Sequence, residues 1–516
     1  MNGAQSLVQT LFDSGVEVCF ANPGTSEMHV VAALDTMPGL RGILTLFEGV
    51  ATGAADGYAR MAEKPAMTLL HLGPGFANGI ANLHNARKAA VPVVNIVGDH
   101  ATSHSIYDDA PLSSDIFGIC RPVSDWLERT ASARTAASDA ARAVAAARAA
   151  PGHIATLLVP ADAAWSAGAE SAAAALPVGG PAPVASSTID RVVRALRSGR
   201  KSALLMRGAA THRAGLEAAG RIAAATGVRL MHDYFAPRIT QGAGLPRIER
   251  IPYFAEQIME CLAGLEQIVL VGAPPPVTFF AYPDRPSWMT PEGCALLTLA
   301  NPHEDAVAAL TALAEALGAP KTYMPVKVAR LDLPQAGALN SFSMGQIMTR
   351  FLPENAIIPE DAVTSSLGMH YSLVHAPIHD TLYLTGGAIG GALPMATGAA
   401  VACPDRKVIG ISGDGAAAYT LQALWTQARE KMDVTTVICA NKSYAVLNVE
   451  LARAGVSNIG PKVQQMLDLH DPELDWVSLA RGMGVEASRA ASTDDFARQF
   501  EDAMNNKGPR LIEAVI

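Results

Sequence analysis

The sequence predicts an α/β protein built from three doubly wound parallel-sheet domains. Short apolar runs rich in β-branched residues alternate with helical stretches along the chain, which is typical of parallel sheets covered by helices on both faces. The 516 residues suffice for about three domains of ~150 residues each. Two linker-like segments, 177–187 and 324–338, interrupt the alternation. We therefore expect domains at 1–176, 188–323 and 339–516.

The first domain is expected to begin with a helix at 4–14 and a strand at 16–20. After the turn formed by Asn22 to Thr25, we expect a helix that Ser26 caps, with Glu27 in its first turn. Further strands are predicted at 43–47, 67–71, 91–97 and 154–160, and further helices at 49–61 and 130–150.

The central domain is predicted from four strands and has no glycine fingerprint of the dinucleotide-binding type. The third domain is expected to contain a strand–turn–helix–strand unit. The right-handed crossover of such a unit places Asp414 and Asn441 at the carboxyl ends of two parallel strands, the edge where open α/β sheets bind ligands. The predicted strands are 202–206, 228–231, 268–272, 295–299, 356–358, 408–412 and 435–439, with a helix at 416–430.

Composition and charge exclude several classes of protein. The formal net charge of −9, without a basic cluster, argues against a nucleic-acid partner. No apolar run reaches the ~20 residues needed to span a bilayer, and the N-terminal residues do not resemble a signal peptide. The six cysteines are scattered without a CxxC pair, which indicates reduced thiols in a cytoplasmic protein.

Asp414 and Asn441 could hold a metal ion together with a nearby backbone carbonyl. Carboxylate and amide oxygens suit Mg2+, which prefers oxygen ligands. Gly413 and Gly415 let the backbone approach a phosphate, and the helix that follows would direct its N-terminal amides at the same place. The pattern predicts a Mg–diphosphate site, although Gly-Asp-Gly alone could also be a strand-terminal turn.

This segment resembles the fingerprint of thiamine diphosphate (ThDP) enzymes, in which Gly-Asp-Gly is followed, one helix and one strand later, by Asn. The flanking segments 387–394 and 414–425 resemble the group of benzoylformate decarboxylase and acetolactate synthase. The resemblance covers essentially the whole chain and implies aminopyrimidine-binding, central and diphosphate-binding domains in that order. It also implies that Asp414, Asn441 and the carbonyl of Ser443 bind Mg2+. Ala440 departs from the family pattern, which often has a second Asn there.

The resemblance further implies contacts with the cofactor. Ile389 matches a bulky aliphatic residue that props ThDP in its bent conformation, and Leu447 would line the cofactor or substrate space. Thr364, Ser365 or Ser366, in the loop after the predicted strand 356–358, could also contact the diphosphate, or could be an ordinary helix-start cluster. The residues assigned to the cofactor in this way are Gly413, Gly415, Ala416, Ile389, Thr364, Ser365, Leu447 and Asn78.

Glu48 ends an apolar strand and could simply be a helix-start glutamate favoured by the macrodipole. The segment 47–60 resembles, however, the cofactor-activating glutamate segment of the ThDP family. This resemblance implies that Glu48 hydrogen-bonds N1′ of the aminopyrimidine. In the family this bond favours the imino tautomer that generates the C2 ylide, while the cofactor carries the chemistry.

His71 ends another predicted strand, where a lone histidine is often structural. With Gly75 and Asn78 it resembles benzoylformate decarboxylase, whose matching histidine helps proton transfer. Thr25 falls where that family has a serine that contacts the substrate carboxylate. The resemblance therefore implies a catalytic set of Glu48, His71 and Thr25.

Several departures from the family bear on the substrate. The second histidine of benzoylformate decarboxylase is missing between Gly272 and Tyr282, where Phe280 is the nearest match, and this removes a general acid. The paired histidines of pyruvate decarboxylases and the glutamine of acetohydroxyacid synthases are not found either. Gly391 stands where a bulkier aromatic residue shapes the benzoylformate pocket, so we expect a larger or differently shaped pocket.

The resemblance implies a ThDP- and Mg2+-dependent 2-oxoacid decarboxylase or carboligase that acts through the ylide and an enamine. The alternatives are an acetolactate synthase-like transferase and a 2-hydroxyacyl-CoA lyase. A protein that only binds ligand is disfavoured because Glu48, Asp414 and Asn441 are all present. FAD is not expected, since the central domain is short and has no clear flavin signature. We expect a small 2-oxoacid substrate, no nucleic-acid or membrane partner, and a homodimer or homotetramer with the active site at the subunit interface.

Overall fold

The strands of the protein form three sheets of six, five and seven strands. All described strand pairings are parallel except one in the third sheet, and helices cover both faces, which confirms the predicted fold class. Among the described helices, none combines the length and the apolar character needed to cross a membrane. The computed structural model describes residues 1–104, 106–107, 110–169, 171–328, 331–456 and 458–516.

The first domain supplies six strands: β1 Val18–Ala21, β2 Arg41–Leu44, β3 Ala66–His71, β4 Val93–Asp99, β5 Trp126–Arg129 and β6 Ile154–Pro160. They lie in the order β2-β1-β3-β4-β6-β5. The helices are α1 Gly3–Asp13, α2 Met28–Leu34, α3 Glu48–Ala62, α4 Leu72–Ala89, α5 Ile116–Cys120, α6 Ala136–Arg148 and α7 Ala161–Trp165. Helix α4 and strand β5 are not among the predicted elements, and α6 begins at Ala136 instead of at residue 130.

The two faces of the first sheet belong to two separate apolar cores. Leu69 in β3 packs with residues of α1 and α6, whereas its neighbour Leu70 packs with residues of α3 and α4. This alternation follows from the two-residue period of a strand. Because both faces are covered, β3 and β4 are buried along almost their whole length, and the carboxyl edge of the sheet is left to bind ligands.

The central region contributes β7 Ser202–Met206, β8 Arg229–His232, β9 Ile239–Gln241, β10 Glu249–Arg250, β11 Gln267–Val271 and β12 Ala295–Ala300. Five of these form the second sheet, in the order β10-β8-β7-β11-β12. The remaining strand, β9, leaves the central sheet and pairs with the third sheet. Its helices are α8 Ser186–Leu196, α9 Arg213–Thr226, α10 Ala255–Leu262 and α11 Ala306–Ala316.

The third domain contains β13 Ile357–Asp361, β14 His379–Tyr383, β15 Val408–Gly413, β16 Val434–Ala440, β17 Glu486–Ala490 and β18 Arg510–Val515. The sheet order is β17-β18-β16-β15-β13-β14-β9, and β9 pairs antiparallel with β14. The helices are α12 Ser341–Phe351, α13 Met369–Leu373, α14 Ala392–Ala402, α15 Asp414–Ala417, α16 Ala423–Arg429, α17 Ala445–Arg453, α18 Pro461–Leu467, α19 Trp476–Gly482 and α20 Thr493–Asn505.

The single helix expected at 416–430 is two helices in the structure, α15 and α16. Between them the hydroxyl of Thr420 donates a hydrogen bond of 2.8 Å to the carbonyl of Gly390. A Cβ atom built on Gly390 would lie 2.6 Å from Cβ of Tyr419, so the intervening turn packs directly on the chain that precedes α14. This tertiary contact replaces the continuous helix that the local periodicity favours.

Helices α3 and α14 join the first and third domains through an unusually close contact. A Cβ atom built on Gly398 would lie 1.8 Å from the carbonyl oxygen of Ala54, and one built on Gly57 would lie 2.2 Å from that of Met395. Only glycine permits this approach. The contact fixes α3, which begins with Glu48, relative to α14, which follows the Gly386–Gly391 loop.

Candidate active site

Glu48 begins α3 at the carboxyl edge of the first sheet, with 8% of the residue exposed. Asn78, on α4, donates a hydrogen bond of 3.0 Å from Nδ2 to Oε2 of Glu48. A Cβ atom built on Gly75 would lie 3.2 Å from Oε1 of Glu48 and 3.2 Å from Cβ of His71. The structure therefore brings Glu48, Asn78 and His71 together at one edge of the sheet.

His71 is paired with Glu27, a carboxylate that the sequence analysis did not assign to the site. Nδ1 of His71 lies 2.9 Å from Oε2 of Glu27 and 3.1 Å from Oγ of Ser26. Glu27 is 1% exposed and also accepts the N–H of Gly24 at 2.7 Å and the hydroxyl of Ser26. These donors compensate for the burial of the carboxylate. Among the described contacts, Nε2 is the ring nitrogen of His71 left to face a ligand.

Two glycines make room for the Glu27–His71 pair. A Cβ atom built on Gly24 would lie 2.2 Å from Cγ of His71, and one built on Gly98 would lie 1.6 Å from Oε1 of Glu27. The pair forms because β1 and β3 are neighbours in the sheet, an order that residue spacing does not reveal. Because spacing does not show this adjacency, the sequence predicted only a helix cap at Ser26 and a first-turn residue at Glu27.

The predicted capping of α2 by Ser26 is wrong. Ser26 lies in a 3-10 helix, Thr25–Glu27, ahead of α2, and its hydroxyl contacts Glu27 and His71 instead of the amides of α2. Thr25 begins that 3-10 helix and is exposed. It lies next in the chain to the Glu27–His71 pair, and its contact with a substrate stays a prediction.

Asp414 and Asn441 form a second cluster, at the carboxyl edge of the third sheet. Asp414 is 5% exposed, and its two carboxylate oxygens accept the N–H groups of Gly415 and Lys442 at 2.8 and 2.7 Å. Oδ1 of Asn441 accepts the N–H of Ser443 at 3.0 Å. Strands β15 and β16 are adjacent and parallel, which is why the two residues meet as expected.

The donor atoms of this cluster fit Mg2+. They are oxygens of a carboxylate, an amide and a backbone carbonyl, from Asp414, Asn441 and Ser443. Within the described residues, no group of three or more His, Cys, Asp and Glu is placed to hold a metal, so a metal here depends on the amide and carbonyl oxygens. Burial raises the pKa of Asp414, and a bound cation would stabilise its ionised form.

The residues expected to contact the diphosphate lie beside the candidate metal residues. Oγ of Ser365 accepts a hydrogen bond of 3.1 Å from Nδ2 of Asn441, and Thr364 is half-buried in the same 3-10 helix, Val363–Ser366. Gly413 ends β15, and Gly415 and Ala416 lie in the single turn of α15. The long helix expected to direct its amides at a phosphate is therefore absent here, and the contacts of these residues with a diphosphate stay a prediction.

Ile389 lies half-buried in the Gly386–Gly391 loop, and Leu447, on α17, is 44% exposed. The expectation of a larger or differently shaped pocket at Gly391 stays a prediction. A Cβ atom built there would lie 2.8 Å from Cδ1 of Leu384, so that leucine already occupies the space that a side chain would need.

The loop after β11 presents aromatic rings to the Gly386–Gly391 loop. Phe280, at the position of the missing histidine, is 53% exposed and packs edge-on against Phe279 with ring centroids 4.7 Å apart. Cζ of Phe279 lies 2.8 Å from the place where a Cβ atom of Gly387 would be. This loop therefore presents apolar rings, and no imidazole, to the Gly386–Gly391 loop.

Three non-glycine residues with left-handed backbone follow strands beside candidate residues. Leu72 has φ of 53° and follows His71, Val363 has φ of 51° and precedes Thr364, and Lys442 has φ of 55° and follows Asn441. Such conformations are unfavourable and persist where the surroundings impose them, commonly at functional sites.

Two family descriptions match the chain over the ranges that hold these clusters. Residues 1–111 match the thiamine pyrophosphate enzyme, N-terminal TPP binding domain, and residues 365–514 match the thiamine pyrophosphate enzyme, C-terminal TPP binding domain. The first range contains Glu48 and His71, and the second contains Asp414 and Asn441.

Relatives match over the full length. A Mycobacterium tuberculosis protein, IlvX, named provisionally as an acetolactate synthase large subunit, is 50% identical and covers 100% of this chain and 99% of its own. Benzoylformate decarboxylase of Pseudomonas aeruginosa is 27% identical, covering 97% of this chain and 96% of its own. The structure of the ThDP-dependent 4-hydroxybenzoylformate decarboxylase of Rhodococcus jostii RHA1 has a TM-score of 0.86 at 22% identity, covering 100% and 99% of the two chains. The fold, the two clusters and these matches confirm the resemblance: the chain belongs to the thiamine pyrophosphate enzyme family, as a ThDP-dependent enzyme of the decarboxylase and acetolactate synthase type.

Proposed function

We propose that the protein is a ThDP- and Mg2+-dependent 2-oxoacid decarboxylase or carboligase. The observation that carries the proposal is a buried, oriented glutamate on one sheet edge together with an oxygen-ligand cluster on another. The cluster of Asp414 and Asn441 suits a Mg–diphosphate group, and Glu48 suits the aminopyrimidine. When bound, ThDP supplies a carbon nucleophile for the carbonyl of the 2-oxo acid and accepts the electrons released as CO2 departs.

Glu48 would hold a proton at N1′ of the aminopyrimidine. Asn78 fixes the orientation of its carboxylate, so the group needs no rearrangement during the reaction. Ile389 would support the bent form of the cofactor from the facing loop.

His71 would exchange a proton with the substrate-derived carbon or oxygen. Glu27 and Ser26 face Nδ1, so Nε2 is the nitrogen that carries or accepts this proton. Thr25, exposed at the same edge, would contact the substrate carboxylate.

The alternative of an acetolactate synthase-like transferase is favoured by Phe280. Without a second imidazole, the site has one acid fewer to release an aldehyde, and attack on a second carbonyl competes better. The name of the 50% identical IlvX points to the same reaction class.

The assay that tests the proposal measures CO2 release by the purified protein with ThDP and Mg2+, with pyruvate and benzoylformate supplied separately. Acetolactate from pyruvate would support the transferase, and benzaldehyde from benzoylformate would support the decarboxylase. A protein that binds ThDP but releases no CO2 from any 2-oxo acid would contradict both.

We further propose that the active site is completed by a second copy of the chain, in a homodimer or homotetramer. Within one chain, the described hydrogen bonds join Glu48 with Asn78 and Asp414 with Lys442, and no described bond links the two clusters. Helix α17, directly after the metal ligands, has no buried residue. Exposed apolar side chains lie near both clusters: Leu46 and Met28 near the first, and Tyr419, Leu447 and Val449 near the second. Such exposure indicates surfaces that a partner covers.

Hybrid oligomers test this sharing. A Glu48→Gln chain and an Asp414→Asn chain are each expected to be inactive. If each site takes Glu48 from one copy and Asp414 from the other, a hybrid dimer contains one site with both native residues, and refolding the mixture restores activity. If both residues of a site come from one chain, the mixture stays inactive. An active monomer in equilibrium sedimentation would also contradict the proposal.

A 2-hydroxyacyl-CoA lyase is a second candidate because a cavity of about 1330 Å³ opens at the carboxyl edge of the second sheet. This exceeds the ~300–1,000 Å³ of pockets for drug-sized ligands. Its lining includes Arg207, Gly208, Asp233, Gly272 and Asn301. Equilibrium dialysis with coenzyme A, and the visible spectrum of the purified protein, test for this ligand and for FAD, which we do not propose. If coenzyme A does not bind, the lyase is removed from consideration.

We propose a cytoplasmic enzyme of small molecules without a nucleic-acid or membrane partner. All six cysteines are free thiols, as expected for a reducing compartment, and the net charge is negative. Fractionation of the cells that contain the protein tests the location.

A further inference from the structure

Ile389 is positioned by hydrogen bonds to the backbone on either side of it. Its side chain is half-buried, and within the described residues it belongs to none of the apolar cores. On one side, Ala388 is bound through both backbone groups to Asn85: Nδ2 of Asn85 donates to the carbonyl at 2.8 Å, and Oδ1 accepts the N–H at 3.2 Å. On the other side, the carbonyl of Gly390 accepts the hydroxyl of Thr420 at 2.8 Å.

Asp361 supplies the remaining bonds. It ends β13 and is 2% exposed. Oδ2 accepts the N–H groups of Gly390, Gly391 and Ala392 at 2.9, 2.9 and 3.1 Å. Oδ1 accepts the hydroxyl of Ser412. Every described hydrogen bond of this carboxylate is one that it accepts.

The bond with Ser412 joins the Ile389 loop to the metal ligands. Ser412 lies beside Asp361 in the neighbouring strand, two residues before Asp414. Burial raises the pKa of Asp361, and the bonds from Ser412 and the three amides act in the opposite direction. One carboxylate therefore ties the backbone around Ile389 to the strand end that carries Asp414.

We propose that Asp361 is a positioning residue for the reaction, which fixes Ile389 relative to the metal–diphosphate end of the cofactor site. The inference rests on the proposed function, because that function gives Ile389 its role. In this role Asp361 touches neither substrate nor cofactor and acts only through the loop.

The loop needs such an anchor because of its composition. Gly386, Gly387, Gly390 and Gly391 surround Ile389, and Gly387 and Gly390 have φ of 76° and 91°. Glycine permits these angles but leaves the backbone free to adopt others. A displacement of about 1 Å at a reacting centre can lower a rate by about a hundredfold, so the loss of three anchored amides should affect turnover.

Hydrogen exchange of the cofactor-free protein tests the anchor directly. In Asp361→Ala, the amides of Gly390, Gly391 and Ala392 should exchange at least about tenfold faster than in the wild type. Asp361→Asn keeps an acceptor for these amides and can donate to Ser412, so it should restore most of the protection. The matched control is Glu360→Gln: Glu360 is a buried neighbour that binds Ala362 and Ser366 and makes no described bond to the loop. Unchanged exchange in Asp361→Ala would overturn the proposal.

A double-mutant cycle on kcat separates positioning from general destabilisation. Asp361→Ala in the native background should lower kcat by about ten- to a hundredfold while the dissociation constant of ThDP changes much less. If Asp361 acts through Ile389, its effect on kcat should be several-fold smaller in an Ile389→Ala background, because the effects of coupled residues do not add. Independent, multiplicative effects would contradict the proposal. Should the wild type turn over no 2-oxo acid, the proposed function fails, while the exchange experiment still decides the role of Asp361 in the loop.

Discussion

Asn78, in the second turn of α4, donates a hydrogen bond of 3.0 Å to Oε2 of Glu48, the first residue of α3. Helix α4 begins directly after His71, and α3 begins with Glu48. The bond therefore joins two helices that start at the same edge of the first sheet. A buried carboxylate with one oriented oxygen and a second oxygen beside Gly75 has the arrangement that the proposed role of Glu48 requires.

Replacing Glu48 by Gln should lower kcat by about 10²–10⁴, the usual contribution of a positioned acid or base. The fold should be retained, since the amide has the shape of the carboxylate and the side-chain amide of Asn78 can rotate to stay hydrogen-bonded. The measurement is kcat at saturating ThDP and Mg2+, together with the melting temperature. Glu17→Gln, which removes a half-exposed carboxylate paired with Lys64, is the control. Full turnover by Glu48→Gln would contradict the proposed mechanism.

Gly24→Ala should disturb the active site without removing any polar or ionisable group. The new methyl would lie 2.2 Å from Cγ of His71, so the imidazole must shift from its position against Glu27 and Ser26. We expect kcat to fall by about tenfold or more. Gly42→Ala is the control, because no atom lies within 4 Å of its Cβ position. Equal kcat values for the two variants would show that the orientation of His71 is unimportant.

The sequence predicted the parts of the fold that local periodicity determines. The strands Ile154–Pro160 and Ser202–Met206 were predicted with their observed bounds, and Asp414 and Asn441 meet because parallel neighbouring strands end at one edge. Helix α4 was missed because its first turn contains Leu72, Gly73, Pro74 and Gly75, a composition typical of turns. Tertiary packing against α3 overrides that local preference.

The site residues that the sequence analysis missed are those defined by contacts between strands. Glu27 meets His71 because β1 lies next to β3, and Asp361 meets Ser412 because β13 lies next to β15. Neither adjacency follows the chain order, so spacing alone gives no signal. One pattern could have indicated Asp361. It is a carboxylate at a strand end combined with a glycine-rich loop elsewhere in the same domain.

Removal of one amide oxygen should weaken metal-dependent cofactor binding. Asn441→Ala is expected to raise the Mg2+ concentration needed for half-maximal ThDP binding by about tenfold or more, since Mg2+ sites depend on few protein ligands. Fluorescence titration of ThDP at varied Mg2+ measures this. The control is Asn505→Ala, which removes an exposed amide at the end of α20. If EDTA leaves ThDP binding and turnover of the wild type unchanged, the metal site is wrong.

Stability should fall with acid partly because of His232. Burial, with a smaller effect of Arg250, lowers the pKa of this imidazole to about 3. In the unfolded chain His232 is protonated below about pH 6.5, whereas in the folded protein it stays neutral until about pH 3. The folded state is therefore not penalised above pH 6.5, and its free energy of unfolding decreases as the pH falls from about 6.5 toward 3. His232→Asn, which keeps a donor for the carbonyl of Asp233, should reduce the pH slope of the unfolding free energy by up to about 1.4 kcal/mol per unit. Urea unfolding at several pH values measures it, and identical slopes would exclude this contribution.

Gly398→Ala should destabilise the protein although alanine is the better helix former. In an open helix the change would gain up to about 1 kcal/mol. Here the methyl would lie 1.8 Å from the carbonyl oxygen of Ala54, so α14 must separate from α3. We expect a net loss of about 1–3 kcal/mol and a lower kcat, because α3 begins with Glu48. Gly482→Ala, exposed at the end of α19 with no atom within 4 Å of its Cβ position, should be neutral or slightly stabilising. Thermal unfolding of both variants decides the point: a Gly398→Ala protein that melts with or above the wild type would mean that α3 and α14 do not depend on this contact.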